Sequence, residues 1–562
     1  MPEYLAPAVF VEETSFRAKS IEGVGTSTCA FVGMTARGPV SRLPSDPTPP
    51  LLTSFGDYER YYGGIDDLTI GTASPPNYVA LAAQAFFSNG GARLYVARIL
   101  GTGAAAPTPI VLNAGTPAAT KKVTLSARSA NGTAYTVTIT QISLPTTKNL
   151  ALRQPAGTAI LVGTDISVVG VDTIAADDTA ASILTYTILV SDSTGSVYEA
   201  GGLGVHPRHP RFIASVLGAS PPLAGDALVN PVSFDIGAAA AASDVVGALM
   251  NGAVNNVRTI KLTGGSDGTA GPSSADYQTA LDSLLALEDI SIVAAPGSSS
   301  FADPLPAAVN QSLIGHAEAR RAYRIAVLDT PPNLELAGVQ ALKGKIDSEY
   351  AALYYPWITI ANPSASLDPT QPSTVDVPPS GAVCGIYARS DINRGVWKAP
   401  ANETVTGALA LQRDVRFGEQ EVLNPLGINC IRALPDRGIR VWGARTISSD
   451  PEWMYVNIRR YFLYLEDSID RGTQWAVFEP NGEALWANVT TSVTDFLYNE
   501  WVSGALLGGK PQEAFFVRCD RSTMTQADLD NGRLICLVGV AAIKPAEFVI
   551  FRIGQKTADA TS

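Results

Sequence analysis

The sequence predicts a multidomain α/β (α+β) chain, with a core that contains parallel strands, an inserted mainly-β domain and a C-terminal α+β domain. Three observations carry that expectation. Strand patterns alternate with helix patterns between Arg258 and Asn362, the signature of βαβ units. Residues 101–255 turn to Ala, Thr, Gly, Ser and Pro with few charges. From about Ser380 onward aromatic residues crowd together, and six of the seven tryptophans fall there. At 562 residues the chain exceeds what one hydrophobic core serves, so two to four domains are expected. The partition read from the sequence is an N-terminal arm at 1–25, a core at 26–100 with 256–380, the insertion at 101–255, a C-terminal domain at 381–542 and a C-terminal arm at 543–562.

In chain order, Ala8-Val9-Phe10-Val11 has strand composition between Pro7 and Glu12-Glu13 but no adjacent hairpin partner, so its partner is distant or on another chain. Cys29 to Gly33 reads as a strand, Tyr78 to Phe87 as a helix stopped by Asn89-Gly90-Gly91, and Leu94 to Ile99 as a strand. In the insertion, Val123 and Leu125 on one side and Tyr135, Val137 and Ile139 on the other flank Asn131-Gly132, which favours a hairpin. Thr259 to Leu262, Ile290 to Ala294, Arg324 to Leu328 and Trp357 to Ile360 are the expected strands of the parallel units. Ser274 is placed to cap a helix whose Tyr277, Leu281, Leu284 and Leu285 form one apolar stripe. Two longer helices are expected at Glu452 to Asp470 and Glu483 to Trp501, the second with Leu485, Val489, Val493, Phe496 and Leu497 on one face. A last strand, Phe548 to Ile553, is apolar on both faces apart from Arg552. An unpaired strand at each terminus invites pairing across subunits.

Composition narrows the function. A formal charge of −12 argues against wrapping bare nucleic acid or anionic lipid. Only 16% of residues are charged, against roughly 25% in an ordinary soluble domain, so neighbouring chains are expected to bury much of the surface. Met1 to Ser15 holds no basic stretch followed by an apolar one, and no apolar run is long enough to span a membrane. Five cysteines without a CxxC pair suit buried free thiols in a reducing compartment.

Candidate chemistry is thin. Gly264-Gly265-Ser266-Asp267-Gly268 matches GxSxG, and Asp289 and His316 follow in the order that α/β hydrolases use. A nucleophile elbow needs its helix directly after the serine, whereas Thr269-Ala270-Gly271-Pro272 intervene, which favours a glycine-rich connection. Gly504 to Lys510 fits GxxxxGK but continues with Pro511, which lacks the hydroxyl that should hold Mg²⁺. Gly23-Val24-Gly25 begins a dinucleotide fingerprint that fails at Thr28 and reads as a flexible joint. His206 and His209 sit among prolines without further ligands and read as a surface turn rather than a metal pair. Asp329 at a strand end is either a catalytic carboxylate or a loop cap. Arg432, Arg437, Arg440, Arg445, Arg459 and Arg460 interleave with acids and aromatics, a pattern typical of a packed protein interface rather than a nucleic-acid groove.

Several segments resemble the tail sheath proteins of contractile phages and of phage-like contractile injection particles. They are Tyr4-Leu5-Ala6-Pro7-Ala8-Val9-Phe10-Val11-Glu12-Glu13, Leu262-Thr263-Gly264-Gly265-Ser266-Asp267-Gly268, Tyr354-Tyr355-Pro356-Trp357 and Arg394-Gly395-Val396-Trp397-Lys398-Ala399-Pro400-Ala401-Asn402. Further on come Leu423-Asn424-Pro425-Leu426-Gly427-Ile428-Asn429, Arg440-Val441-Trp442-Gly443-Ala444-Arg445-Thr446, Gly472-Thr473-Gln474-Trp475, Thr523-Met524-Thr525-Gln526 and Pro545-Ala546-Glu547-Phe548-Val549. Ala8 stands where many members have Gly, and residues 101–255 carry no family motif.

The resemblance implies a non-enzymatic structural subunit without catalytic residues, cofactor or metal. Many copies would wind helically around an inner tube, stay extended until a baseplate signal, then contract and drive the tube through a target envelope. The implied partners are further copies of the chain, the inner tube protein, the baseplate and the tail terminator or cap proteins, with no nucleic acid and no direct membrane insertion. Assembly would take place in the bacterial cytoplasm. Val9, Phe10 and Val11, with Phe548, Val549, Ile550 and Phe551, would be the exchanged arm strands. Glu483, Asp495, Asp528 and Arg533 are the candidates to face the tube. Two other classes stay open at this point: a static self-assembling shell or surface-layer protein, and an α/β serine hydrolase working through Ser266.

Overall fold

The computed structural model describes residues 20–40, 48–113, 122–130, 132–219, 228–238, 240–366 and 370–552. The N-terminal arm residues Val9, Phe10 and Val11 lie outside the described residues, as does Asn131. The chain divides into two compact units. One comprises Thr26–Ile392 with Pro400–Met454, and the other takes in the described parts of Met1–Gly25 and Tyr455–Ser562 with Asn393–Ala399.

The first unit is built on an eight-stranded sheet. Arg93–Ile99, Thr28–Met34, Ile292–Ala294, Ile325–Asp329, Ala351–Tyr355 and Ile428–Leu434 lie side by side, every pair parallel, and Gly438–Val441 and Glu403–Thr404 extend one edge antiparallel. Thr28–Met34, Ile325–Asp329 and Ala351–Tyr355 are buried at every residue, as strands covered on both faces must be. On one face Ala30, Val32 and Met34 pack with Tyr277, Leu281 and Leu284 of the helix region beginning at Ser274. On the other, Phe31 meets Phe86 edge-on at 5.9 Å. Gly33 lets the helix Tyr78–Ser88 close down, since a Cβ there would stand 2.5 Å from Val79 Cγ2.

Residues 110–262 carry two further sheets over a core of their own. Val232–Ile236, Val123–Ala127 and Ile110–Leu112 form one, and Val257–Leu262, Tyr135–Thr147, Ala180–Asp192, Ala159–Val162 and Asp165–Val168 follow one another in the second. Tyr135, Val137 and Ile139 point inward while the threonines between them are half-buried, the period of a one-sided strand.

The register corrects several expectations. Val123–Ala127 and Tyr135–Thr147 are not a hairpin, because they belong to different sheets. Thr259 to Leu262 lies antiparallel to Tyr135–Thr138, so it completes the insertion's sheet instead of opening the parallel one. The strand near Trp357 is Ile358–Ala361, and it joins an antiparallel sheet with Thr374–Val377 and Ala408–Leu411, while the parallel position is taken by Ala351–Tyr355. The helix cap is Ser273 rather than Ser274, in a reciprocal box with Asp276, and Leu285 is exposed rather than in the stripe. Residues 400–454, placed by the sequence partition in the C-terminal domain, supply four strands to the sheets of this unit.

In the second unit the helices Val456–Gly472 and Glu483–Val502 share a core of Tyr461, Leu465, Leu485, Trp486, Val489, Val493, Phe496 and Leu497. The first helix starts later than expected. Trp453 and Met454 carry carbonyls that accept from the Thr446 hydroxyl (2.7 Å) and amide (2.9 Å), which holds them outside it. Phe515–Arg518 and Leu537–Val540 form a two-stranded antiparallel sheet.

Candidate assembly surface

The catalytic candidates are not brought together. Ser266 exchanges two backbone hydrogen bonds with Ala105, and its hydroxyl accepts from the Gly268 amide at 3.1 Å. Asp289 pairs with Arg93 at 2.8 Å and accepts from the Tyr95 hydroxyl at 3.1 Å. His316 is buried with Nε2 2.6 Å from Arg324 Nη1, and burial with that cation beside it pushes its pKa down to about 3, so it is neutral. The GxSxG look-alike serves instead as a latch. Asp267 accepts from the buried Arg98 guanidinium at 2.8 Å, and its carbonyl accepts from Gly101 N at 2.7 Å. Residues 101–105, where the chain leaves the parallel sheet, are thereby zipped to residues 266–271, where it returns.

The other motifs resolve into local structure. His206 Nδ1 and His209 Nδ1 accept from the amides of Arg208 and Arg211, as turn residues do. Among the described residues no group of three or more His, Cys, Asp or Glu could hold a metal. In the GxxxxGK segment the Gly509 amide donates to Glu513, so a carboxylate of the chain occupies the place a phosphate would need. Gly23 is a point of close approach rather than a flexible joint: a Cβ there would stand 2.2 Å from Tyr464 Oη, Val24 N donates to Ser468 Oγ at 3.1 Å, and Ile21 is buried against Gly472. Arg445, Arg459 and Arg460 are buried, Arg432 is spent on Val415 O and Gln420, and Arg440 donates to the carbonyls of Arg437 and Asn402. Asp329 ends its strand at the start of the helix Ser380–Arg394, accepting from Ser380 N (2.9 Å) and Oγ (2.6 Å), and burial raises its pKa to about 7.

One exposed apolar stretch lies toward the C-terminus. In the two-stranded sheet Phe516, Leu537 and Val538 face solvent, and among the described residues its strands pair only with each other. The chain then runs on, held where Asn457 Nδ2 donates to Ile543 O (3.2 Å) and the Tyr455 hydroxyl donates to Glu547 (2.9 Å). Beyond that tether Phe548, Val549, Ile550 and Phe551 are 72%, 68%, 77% and 83% exposed and form no strand with any described segment. Glu483 and Asp495 are exposed on the long helix. Asp528 is committed to a reciprocal cap with Thr525, whose hydrogen bonds hold its carboxyl below the usual range, and Arg533 stands 3.6 Å from it. Asn481, two residues before Glu483, donates to Arg533 O at 3.0 Å, which joins the two elements. Sequence reading missed the buried Glu500, which accepts from Tyr461 (3.2 Å) and Tyr464 (2.9 Å), because nothing local marks a carboxylate on an apolar helix face as buried.

The first unit carries a largely parallel α/β sheet, the motif residues are committed to latches and turns, and an apolar run is offered to solvent. Two adjacent family models match it, the phage tail sheath protein central domain over residues 270–447 and the phage tail sheath C-terminal domain over 448–556. A prophage major tail sheath protein of Pseudomonas aeruginosa (strain UCBPP-PA14) is 28% identical over 294 residues, 50% of this chain and 70% of the relative. The helical sheath of the anti-feeding prophage in its contracted state shares the fold with a TM-score of 0.55 at 22% identity, over 98% of this chain and 99% of that one. The PVC sheath complex of an extracellular contractile injection system, also contracted, gives 0.52 at 21% over 99% of each. The chain belongs to the contractile tail sheath family.

Proposed function

We propose that this chain polymerises helically around an inner tube as a metastable extended sheath and contracts to drive the tube through a target envelope. The observation that carries this reading is the exposed apolar run Phe548 to Phe551 in a member of the sheath family. Burying four such side chains contributes roughly 6–12 kcal/mol before ordering costs, a gain that no contact within the described chain realises. A two-stranded sheet is marginal alone, and among the described residues Phe515–Arg518 and Leu537–Val540 pair only with each other, which leaves backbone on which a neighbour's arm can pair. The reading includes Val9, Phe10 and Val11 as the other exchanged strand, Glu483, Asp495, Asp528 and Arg533 toward the tube, and the insertion on the outside. Its partners are further copies of the chain, the tube protein, the baseplate and the terminator, with assembly in the bacterial cytoplasm. The contracted state of the similar sheaths supports a two-state assembly, in which a few kcal/mol per subunit adds up along the tube.

The test is negative-stain electron microscopy of the full chain and of a variant with Phe548, Val549, Ile550 and Phe551 changed to Ser, each with and without the cognate tube protein. The full chain should form hollow cylinders, wider without a tube than around one, and the variant should stay small while keeping its circular dichroism spectrum. Cylinders of normal length from the variant refute the role of the arm. Small particles from the full chain under both conditions refute the sheath reading.

A further inference from the structure

The two-stranded sheet ends on a pair of thiols that lie 17 positions apart in the sequence. Its ladder pairs Phe515 with Val540, Phe516 with Gly539, Val517 with Val538 and Arg518 with Leu537. Continuing that register by one residue on each strand sets Cys519 opposite Cys536. Directly opposed residues of antiparallel strands have Cα atoms about 4.5–5.5 Å apart, within the span a disulfide bridges. Cys519 and Cys536 belong to the same apolar cluster of the C-terminal unit. Cys519 is buried in the core of the C-terminal unit and Cys536 is half-exposed beside it, so an oxidant reaches one thiol and the other waits next to it. Burial pushes both thiols up, Cys519 to about 12, so at neutral pH the pair is protonated and its reaction with an oxidant is slow.

We propose that Cys519 and Cys536 form a dithiol site that a two-electron peroxide oxidant converts into a cross-strand disulfide, stapling the sheet shut. The Cys536 sulfur attacks the peroxide O–O bond, giving a sulfenic acid and releasing water with the thiol proton. The Cys519 sulfur then displaces the sulfenic oxygen, which leaves as a second water with the remaining thiol proton. Two thiols and one hydrogen peroxide give one disulfide and two waters, and the two electrons lost by the sulfurs reduce the peroxide. The consequence for assembly rests on the reading of this sheet as the acceptor of neighbouring arms: the staple would fix its edges before or after strands dock. The chemistry itself is a property of the unassembled chain.

The purified, unassembled full chain is treated with hydrogen peroxide, quenched with an alkylating agent, and analysed by intact mass and peptide mapping. The expected product has lost two hydrogen atoms, carries a peptide link between Cys519 and Cys536, returns to two alkylated thiols on reduction, and melts roughly 5 °C higher in the transition of the C-terminal unit. Cys536→Ser and Cys519→Ser should each abolish the link, and the half-exposed position of Cys536 makes its variant the safer one to fold. Two alkylated thiols after treatment, oxidation that stops at a sulfinic acid, or a link to a second chain overturns the proposal. Because the readout needs no cylinders, its failure is distinct from failure of the sheath reading.

Discussion

Removing Arg98 tests whether the latch between residues 101–105 and 266–271 is structural. Its side chain is wholly buried and donates to Asp267 Oδ1 at 2.8 Å, Gly38 O at 2.9 Å and Thr35 O at 3.4 Å. Arg98→Met keeps the aliphatic stem, removes all three donations and leaves the Asp267 carboxylate, 12% exposed, without its cation. Breaking one partner of a buried pair costs about 3–5 kcal/mol, most of it the stranded charge. Opening that latch should therefore become about two to four powers of ten easier. Hydrogen exchange read by mass spectrometry on peptides covering residues 93–105 and 257–272 reports that opening directly, without assuming that so long a chain unfolds in two states. Adding Asp267→Asn removes the stranded charge and should restore at least a third of the loss. Exchange unchanged within a factor of three in Arg98→Met, or a double variant no slower than the single one, would show that the ion pair does not hold the latch.

Two further perturbations follow from the geometry. Burial raises the folded-state pKa of Asp329 from 3.8 to about 7, so its contribution to stability is present below pH 4 and is lost as pH rises through 7. Asp329→Asn should flatten that part of the pH profile and gain on the native chain toward pH 8, by up to about 4 kcal/mol in urea titrations, and equal slopes for the two chains would refute the assignment. Gly23→Val drives a side chain into Tyr464 Oη and separates it from Glu500, which should cost about 1–3 kcal/mol of the C-terminal unit's stability. Gly25→Ala, where a Cβ meets nothing within 4 Å, should stay within about 0.5 kcal/mol, and a similar loss from both would restore the flexible-joint reading of Gly23.

What was legible in the sequence was each element's own periodicity. The helix at Glu483 was placed to its first residue because Leu485, Val489, Val493, Phe496 and Leu497 repeat at helical spacing, and all five are buried together. Thr28–Met34 and Ile325–Asp329 were legible as strands for a similar reason, short apolar runs between turn residues. The buried pairs were not legible. Arg98 with Asp267, Glu500 with its two tyrosines, and Cys519 with Cys536 are separated by 17 to 169 residues, and no local pattern marks a polar side chain as one whose partner arrives from elsewhere.

The failures share one cause: a period-2 pattern says that a segment is a strand and which side it buries, but not whom it pairs with. Val123–Ala127 and Tyr135–Thr147 flank a good turn dipeptide, yet they pair in separate sheets whose inward residues Val123, Leu125, Tyr135, Val137 and Ile139 share one core, a pairing that the alternation permits as well as a hairpin. Thr259 to Leu262 precedes a βαβ run in sequence, but its alternation of exposed Thr259 and Lys261 with buried Ile260 and Leu262 fits a one-sided antiparallel sheet, whereas the central parallel strands such as Ala351–Tyr355 are buried at every position. The same criterion applied to Phe548–Phe551 finds the composition of a strand apolar on both faces, yet among the described residues the segment forms no strand and its four side chains stay exposed, which is why the proposed function gives them a partner on a neighbouring copy.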